Sequence, residues 1–360
     1  MTDMRRTLLW VVFVMSLVLL WDAWSKHTGA PSLFGGVSSR PPVVASAPQG
    51  PGSGAVGAGT VPSASTVSAP APAAASPGGG AAVPASGAEL ITLTTDLVKA
   101  TVDSRGGELI HLELLQQHDQ FDRSRNVVMF DRSHERLYLA RSGLATVDGA
   151  AYPNHETVFH AIAGPREMAA GADTLELKLE SPVIGGVQLR KTYTFKRGDY
   201  RIAVKHEVVS SADKPLSPQL YLQLVRDGNA PAGESSFYFT FTGPAMYTDA
   251  SKFVKIEFKD IDKNKADYPH SASDGWIAMV QHYFASAWLI GDGPRDYVAS
   301  KLGDNQYALA MMIKLGTLAP GAALSHEATL FAGPQEEKKL EAMAPGLELV
   351  KDYGKFTILA

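Results

Sequence analysis

His155-Glu156 and His160 are the residues whose types and spacing first suggest chemistry. Zinc hydrolases carry H-E-x-x-H on a helix, which puts both imidazoles on one face and leaves the Glu as base. Here the spacing is H-E-x-x-x-H, one residue too long, and the local pattern is strand or loop. A solvated pair is expected instead of a metal site. Gly52-Ser-Gly54-Ala-Val-Gly57 fits the dinucleotide pattern G-x-G-x-x-G, but that loop must follow a strand and open a helix, and neither flank can do so. Arg197-Gly198-Asp199 is an integrin-type tripeptide, read here as the tip of a hairpin. There is no G-x-S-x-G elbow, P-loop or EF-hand loop, and the acids are scattered without an evident acid/base couple. With no cysteine in the chain, thiol chemistry, disulfides, Cys-ligated zinc and an N-terminal lipidated Cys are excluded. No catalytic, cofactor-binding or metal-ligating residue is assigned, no cofactor is expected, and the chain is not read as an enzyme.

The elements around these residues begin with an apolar run. Residues 7–21 are 15 residues without a charge, preceded by Arg5 and Arg6, ending at Trp21 and followed by Asp22 and Trp24. As a helix the run is about 22 Å long, against a bilayer core of about 30 Å. Tryptophans suit the far interface, and the basic start places the N-terminus in the cytoplasm. A cleaved signal peptide has similar features. However, the small-x-small site Ala23-Trp24-Ser25 is crowded by Asp22 and Lys26, so residues 1–28 are read as an uncleaved anchor. Residues 29–87 are rich in Ala, Pro, Ser and Gly with Arg40 the one charge. Such a composition cannot offset its ordering entropy, so a disordered tether is expected, roughly 40 Å in r.m.s. span.

From residue 88 to 332 the dominant period is two. Leu175, Leu177 and Leu179 face one way, opposite Glu176 and Lys178. Val187, Leu189, Tyr193 and Phe195 share a face with Lys191, and Ile202, Val204 and Val208 continue beyond the turn 196–199, which reads as a hairpin. Further strands are expected at 90–93, 98–102, 109–114, 216–225, 253–258, 276–290 and 307–315, punctuated by Asp-Gly at Asp148, Asp227, Asp274 and Asp292. Trp276, Tyr283, Phe284 and Trp288 are expected in the core. Strands without alternating helices or blade repeats indicate a mostly β, large antiparallel sandwich. Residues 333–360 read as a short helix, with Pro334 in its first turn and acids ahead of lysines, then an apolar run still rising at Ala360. A net charge of −4 gives no basic excess for nucleic acid.

Several segments together resemble the Oxa1/YidC family of bacterial membrane protein insertases. The basic start with Leu-Leu-Trp and Trp21-Asp-Ala-Trp24 resembles the family's first transmembrane helix. Asp103-Ser-Arg-Gly-Gly-Glu108 is similar to its T-R-G-G-D turn, and Lys191-Thr-Tyr-Thr-Phe-Lys-Arg-Gly-Asp-Tyr200 to its K-T-F-x-x-x-R-G-D-Y hairpin. Asp274-Gly-Trp-Ile-Ala-Met-Val-Gln-His-Tyr-Phe-Ala-Ser-Ala-Trp288 resembles its G-G-W-x-A-M-x-Q-x-Y-F-x-x-A-W block, with Asp274 in place of the first Gly. Ala332-Gly-Pro334 and Val350-Lys-Asp-Tyr-Gly354 are similar to its last two markers. The resemblance implies a periplasmic β-supersandwich of mutarotase-like shape in the bacterial inner membrane. The implied partners are nascent inner-membrane proteins, the Sec translocon and the lipid bilayer. It also implies an insertion groove formed by helices beyond Asp352-Tyr-Gly354, so this chain reads as an N-terminal portion with a scaffolding role. The alternative is an anchored periplasmic sugar-binding or epimerase-like protein, which would need a His and a carboxylate converging on a cleft.

Overall fold

The structure is a computed structural model, and it describes residues 87–145, 149–231 and 240–351. The apolar N-terminal run, the tether and the Gly52–Gly57 motif lie outside the described residues, and among those described no helix is long and apolar enough to cross a membrane.

Two nine-stranded antiparallel sheets form from strands that alternate between them. β1 (Leu90–Thr94), β2 (Val98–Asp103), β3 (Glu108–His118), β4 (Asn126–Arg132) and β5 (Leu137–Ala145) start the first sheet. β6 (His160–Ala161), β7 (Thr174–Glu180), β8 (Val187–Lys196) and β9 (Arg201–Ser210) start the second. β10 (Gln219–Asp227) returns to the first, while β11 (Gly243–Thr248) and β12 (Lys252–Lys255) extend the second. A short helix α1 (Phe258–Asp262) follows. β13 (Ser271–Ala272), β16 (Arg295–Gly303) and β17 (Gln306–Lys314) join the first sheet, and β14 (Trp276–Gln281), β15 (Phe284–Ile290) and β18 (Ala323–Pro334) the second. Helix α2 (Glu337–Met343) and a 3-10 turn (Leu347–Val350) end the described chain.

Alternation explains how the layers pack. On β7, β8 and β9 every second residue is buried, so Leu175, Leu177, Leu179, Val187, Leu189, Tyr193, Phe195, Ile202, Val204 and Val208 enter one core shared by both sheets. On β10 all nine residues are buried. Leu220, Leu222 and Leu224 join that core, whereas Tyr221 and Val225 pack on the other face of the first sheet. Continuous burial, not alternation, is what a central strand covered on both faces requires. The sheets are also joined by side chains. The Tyr138 hydroxyl lies 2.6 Å from Ser286 Oγ, and Trp288 Nε1 donates to Gln223 O at 3.2 Å.

Three expectations change, and several strands are added. The segment 276–290 is two strands, not one, turning at His282-Tyr283, so Tyr283 is 55% exposed and Phe284 only half-buried. Residues 253–258 divide between β12 and the start of α1. Pro334 closes β18 opposite Phe284, and α2 begins three residues later. A proline at a strand end has no ladder N–H to lose. The strands β4, β5, β11, β16 and β18 lack a clear apolar alternation in sequence, because charges, glycines and Ala-rich runs interrupt it.

Candidate functional site

The turn Asp103-Ser-Arg-Gly-Gly-Glu108 between β2 and β3 is the polar centre of the domain. Gly106 and Gly107 have φ of +73° and +57°, a region that L side chains avoid. Space excludes a side chain as well, because a Cβ at Gly106 would lie 2.4 Å from His155 O. The turn presents carbonyls to β8, where Lys191 stands fully buried among apolar neighbours. Its Nζ donates to Gly106 O at 2.5 Å and Ser142 O at 2.7 Å, and lies 5.0 Å from the centroid of the Phe159 ring. The Tyr193 hydroxyl donates to Gly107 O at 2.5 Å, and Ser142 Oγ lies 2.8 Å from His206 Nε2. Burial pushes the Lys191 ammonium down to about 7, and nearby Glu108 pulls the other way.

Glu108 is buried, and desolvation raises its carboxyl above the usual range. Arg141, Arg132 and Lys191 oppose that rise. Arg132 Nη1 is 3.4 Å and Arg141 Nη1 3.7 Å from the carboxylate, and Arg132 also pairs with Asp103. On the outer face of the first sheet Arg141 Nε donates to Gln223 Oε1 at 2.5 Å. The Tyr221 hydroxyl accepts from His155 N at 2.9 Å and lies 2.7 Å from His155 Nδ1. Burial, with Arg141 and Lys191 nearby, holds His155 down to about 3, so the imidazole is neutral, and its Nδ1 shares a hydrogen bond with the Tyr221 hydroxyl. Burial likewise holds His206 to about 3.

These groups bind one another. The carboxylate lies beside two guanidiniums, the ammonium is held by two carbonyls and the imidazole is held by a phenol. The cluster cross-links the β2–β3 turn with β5, β8, β9 and β10. A network of this kind rigidifies a fold when its members are paired. It does not offer the open His and carboxylate that epimerase chemistry needs, because the Glu108 carboxylate is engaged by Arg132 and Arg141.

The residues singled out from the sequence fall as follows. His155 is not solvated but buried against Tyr221, whereas Glu156 and His160 are exposed. The burial comes from long-range packing against β10, which local spacing does not report. Among the described residues no three His, Asp or Glu side chains group as a metal requires. Arg197-Gly198-Asp199 is the β8–β9 tip. Arg197 donates to Ala169 O and Ala172 O, Gly198 N donates to Asp96, and Asp199 pairs with Arg201. Lys191 and Glu108 carried the one legible hint, a charge at a core register position and an acid closing a Gly-Gly turn.

A second built feature is the C-terminal joint. Leu340, Leu347 and Val350 are buried on the second sheet. Trp276 Nε1 donates to Pro345 O at 3.0 Å, and Trp276 stacks on Tyr247 with centroids 5.8 Å apart. Gly346 has φ of +71°, and a Cβ there would lie 2.2 Å from the Tyr247 ring. Glycine is therefore required twice, by backbone and by space. Lys351 Nζ returns to Glu337 at 3.1 Å.

Comparison with known proteins follows the same outline. Residues 90–360 match the family model of the YidC periplasmic domain. The membrane protein insertase YidC of Herminiimonas arsenicoxydans is 46% identical over 360 residues, covering 99% of this chain and 62% of that protein. The membrane protein insertase YidC of Janthinobacterium sp. (strain Marseille) is 47% identical over 359 residues with the same coverage. The chain thus spans about 62% of the length of these relatives. Among solved structures, a galactose mutarotase related enzyme from Lactobacillus acidophilus superposes with a TM-score of 0.46 at 13% identity, covering 68% of this chain and 97% of that one. That likeness is too distant to carry any argument about activity. The match over three quarters of the chain and the identity along nearly all of it show that this chain belongs to the YidC family of membrane protein insertases, with residues 90–360 as its periplasmic domain.

Proposed function

We propose that this chain is the anchor and periplasmic domain of an inner-membrane protein insertase, and that it binds and positions partners without making or breaking bonds. The observation that carries the reading is the family match over residues 90–360. The geometry agrees with it. The charged groups of the polar centre are paired internally, with His155 Nε2 and His206 Nδ1 left without a partner among the described residues, and the sandwich ends in a segment fixed to the domain through Gly346, Trp276 and Tyr247. A rigid joint of this kind transmits the position of the sandwich to whatever follows Lys351. On this reading residues 1–28 span the membrane with a cytoplasmic N-terminus, residues 29–87 form the tether, and residues 88–332 form the sandwich. Residues 333–360 lead to the insertase core, clients are nascent inner-membrane proteins, and the Sec translocon is a partner.

The test is a chimaera in which this chain replaces the aligned segment of the Herminiimonas arsenicoxydans protein, expressed in insertase-depleted cells. Growth should be restored. Gly346→Val should impair it more than a block deletion within the sandwich that leaves the protein stably expressed. Equal or greater loss from the sandwich deletion would refute the role given to the joint. No growth from a stably expressed chimaera, or sugar turnover by the purified chain, would refute the insertase reading.

A further inference from the structure

Three of the six exposed large apolar side chains among the described residues stand on elements at one end of the sandwich. The β3–β4 hairpin packs by its β4 strand on the end of β14, where Gln281 Nε2 reaches Met129 Sδ at 3.4 Å and Arg136 bridges Val128 O and Gln281 Oε1, so both hairpin tips project from this end. Phe121 on the first tip is 64% exposed and Tyr283 on the second 55%. Leu349, 44% exposed, sits two residues before Lys351, whose ion pair with Glu337 returns the chain to this end. Gln335 N donates to Tyr283 O at 2.9 Å, which fixes the start of the joint beside the second tip.

The β3–β4 tip is ordered by its own acids. Asp119 Oδ1 accepts from Phe121 N at 2.8 Å and from Asp122 N at 3.0 Å, and Asp122 Oδ1 accepts from Ser124 N at 3.0 Å. The acids thus satisfy the turn's backbone, while Phe121, Arg123 and Arg125 are exposed on it. An exposed aromatic on an ordered turn, with two exposed guanidiniums two and four residues on, suits a headgroup layer, where the ring enters the acyl boundary and the guanidiniums meet phosphates.

The exit of the chain points the same way. The apolar run 356–360 begins five residues after Lys351, a reach of about 17 Å for an extended chain. Whatever apolar phase holds that run is therefore close to this end. The opposite end is about 33 Å away along β8, where Val183 is exposed, and Leu90 is exposed beside the β2–β3 turn.

We infer that this end is a lipid-facing surface, with Phe121 and Tyr283 at headgroup depth in an anionic bilayer and Arg123 and Arg125 on its phosphates. The inference rests on the anchored reading above, and the bilayer is the one the chain's own N-terminal run enters.

The chain has no cysteine, so single labels are clean. Phe121→Cys, Tyr283→Cys and Val183→Cys, each carrying an environment-sensitive fluorophore, are placed in the full chain in nanodiscs of phosphatidylethanolamine and phosphatidylglycerol with a lipid-borne quencher. Labels at 121 and 283 should shift to the blue and be quenched, and the label at 183 should not. Arg123→Gln with Arg125→Gln should move the docked-to-free ratio about 30-fold towards free, with an unchanged melting temperature. Absent quenching at 121 and 283, equal quenching at 183, or docking that ignores the arginines would overturn the proposal and leave a protein partner for this end. Failure of the chain to incorporate would sink the anchored reading instead. The same labels on the same chain, added to preformed phosphatidylglycerol vesicles, would then still decide the surface by the same outcomes.

Discussion

Lys191, His155 and His206 are titratable groups that the fold removes from water, and their shifts set a pH dependence. His155 and His206 are held to about 3 in the folded chain, against about 6.5 when unfolded. Between those values the unfolded state binds more protons, so stability rises with pH there and is lost as pH falls below about 6.5. The slope is about 1.4 kcal/mol per pH unit for each histidine. Lys191, lowered to about 7 from 10.5, has the same sign in a higher window, and its contribution grows as pH rises above about 7. Urea midpoints measured from about pH 4 to pH 7 should climb steeply in the wild type and less in a His155→Gln, His206→Gln variant. Parallel profiles would show that neither imidazole is buried neutral. A second contrast is steric. Trp288 is buried and bonded to Gln223 O, whereas Phe284 is half-buried. Trp288→Ala should cost about 3–5 kcal/mol in urea unfolding, and Phe284→Ala clearly less. Equal costs would contradict the exposure of the β14–β15 tip.

At the scale of elements, the joint of α2 and the 3-10 turn depends on one residue without a side chain. Gly346→Val meets the Tyr247 ring and an unfavourable φ together. The segment 344–351 should then detach and become open to limited proteolysis, while the sandwich keeps its cooperative unfolding. Protease resistance of that segment in the variant would show that the joint is held without Gly346. The β2–β3 turn poses the same requirement at Gly106, but there the displaced neighbour is His155 backbone in the core. A substitution at Gly106 should accordingly destabilise the whole sandwich and not one segment.

At the scale of the molecule, the sandwich closes its own core with no disulfide, since the chain has no cysteine. Among the described residues, fifty-seven buried apolar side chains form one continuous cluster across both sheets, which is what a domain without cross-links needs. Residues 29–86 supply no core-forming pattern, and loop entropy changes slowly with length. Deleting about half of them should leave the melting temperature of the sandwich unchanged. A drop of several degrees would mean that the tract packs on the domain.

The sequence by itself determined the class of fold and the family. Alternation along β7, β8 and β9 was legible because those strands have one face in the core and one in water, so period two survives in the residue types. The Gly-Gly turn, the Arg-Gly-Asp hairpin and the Trp-rich block were legible because backbone conformation and close packing dictate their residues locally. The tertiary structure decided which charges are buried and what they meet. His155 reads as solvated because its burial comes from Tyr221, 66 residues away in sequence. Glu108, Arg141 and Lys191 converge from three strands, and no local spacing encodes that meeting. The break of 276–290 at Tyr283 was also hidden, because a buried hairpin is apolar on both arms and its turn carries no Gly or Pro. Local pattern reports the surroundings of a strand, whereas a site built between two sheets depends on pairings that only the closed sandwich fixes.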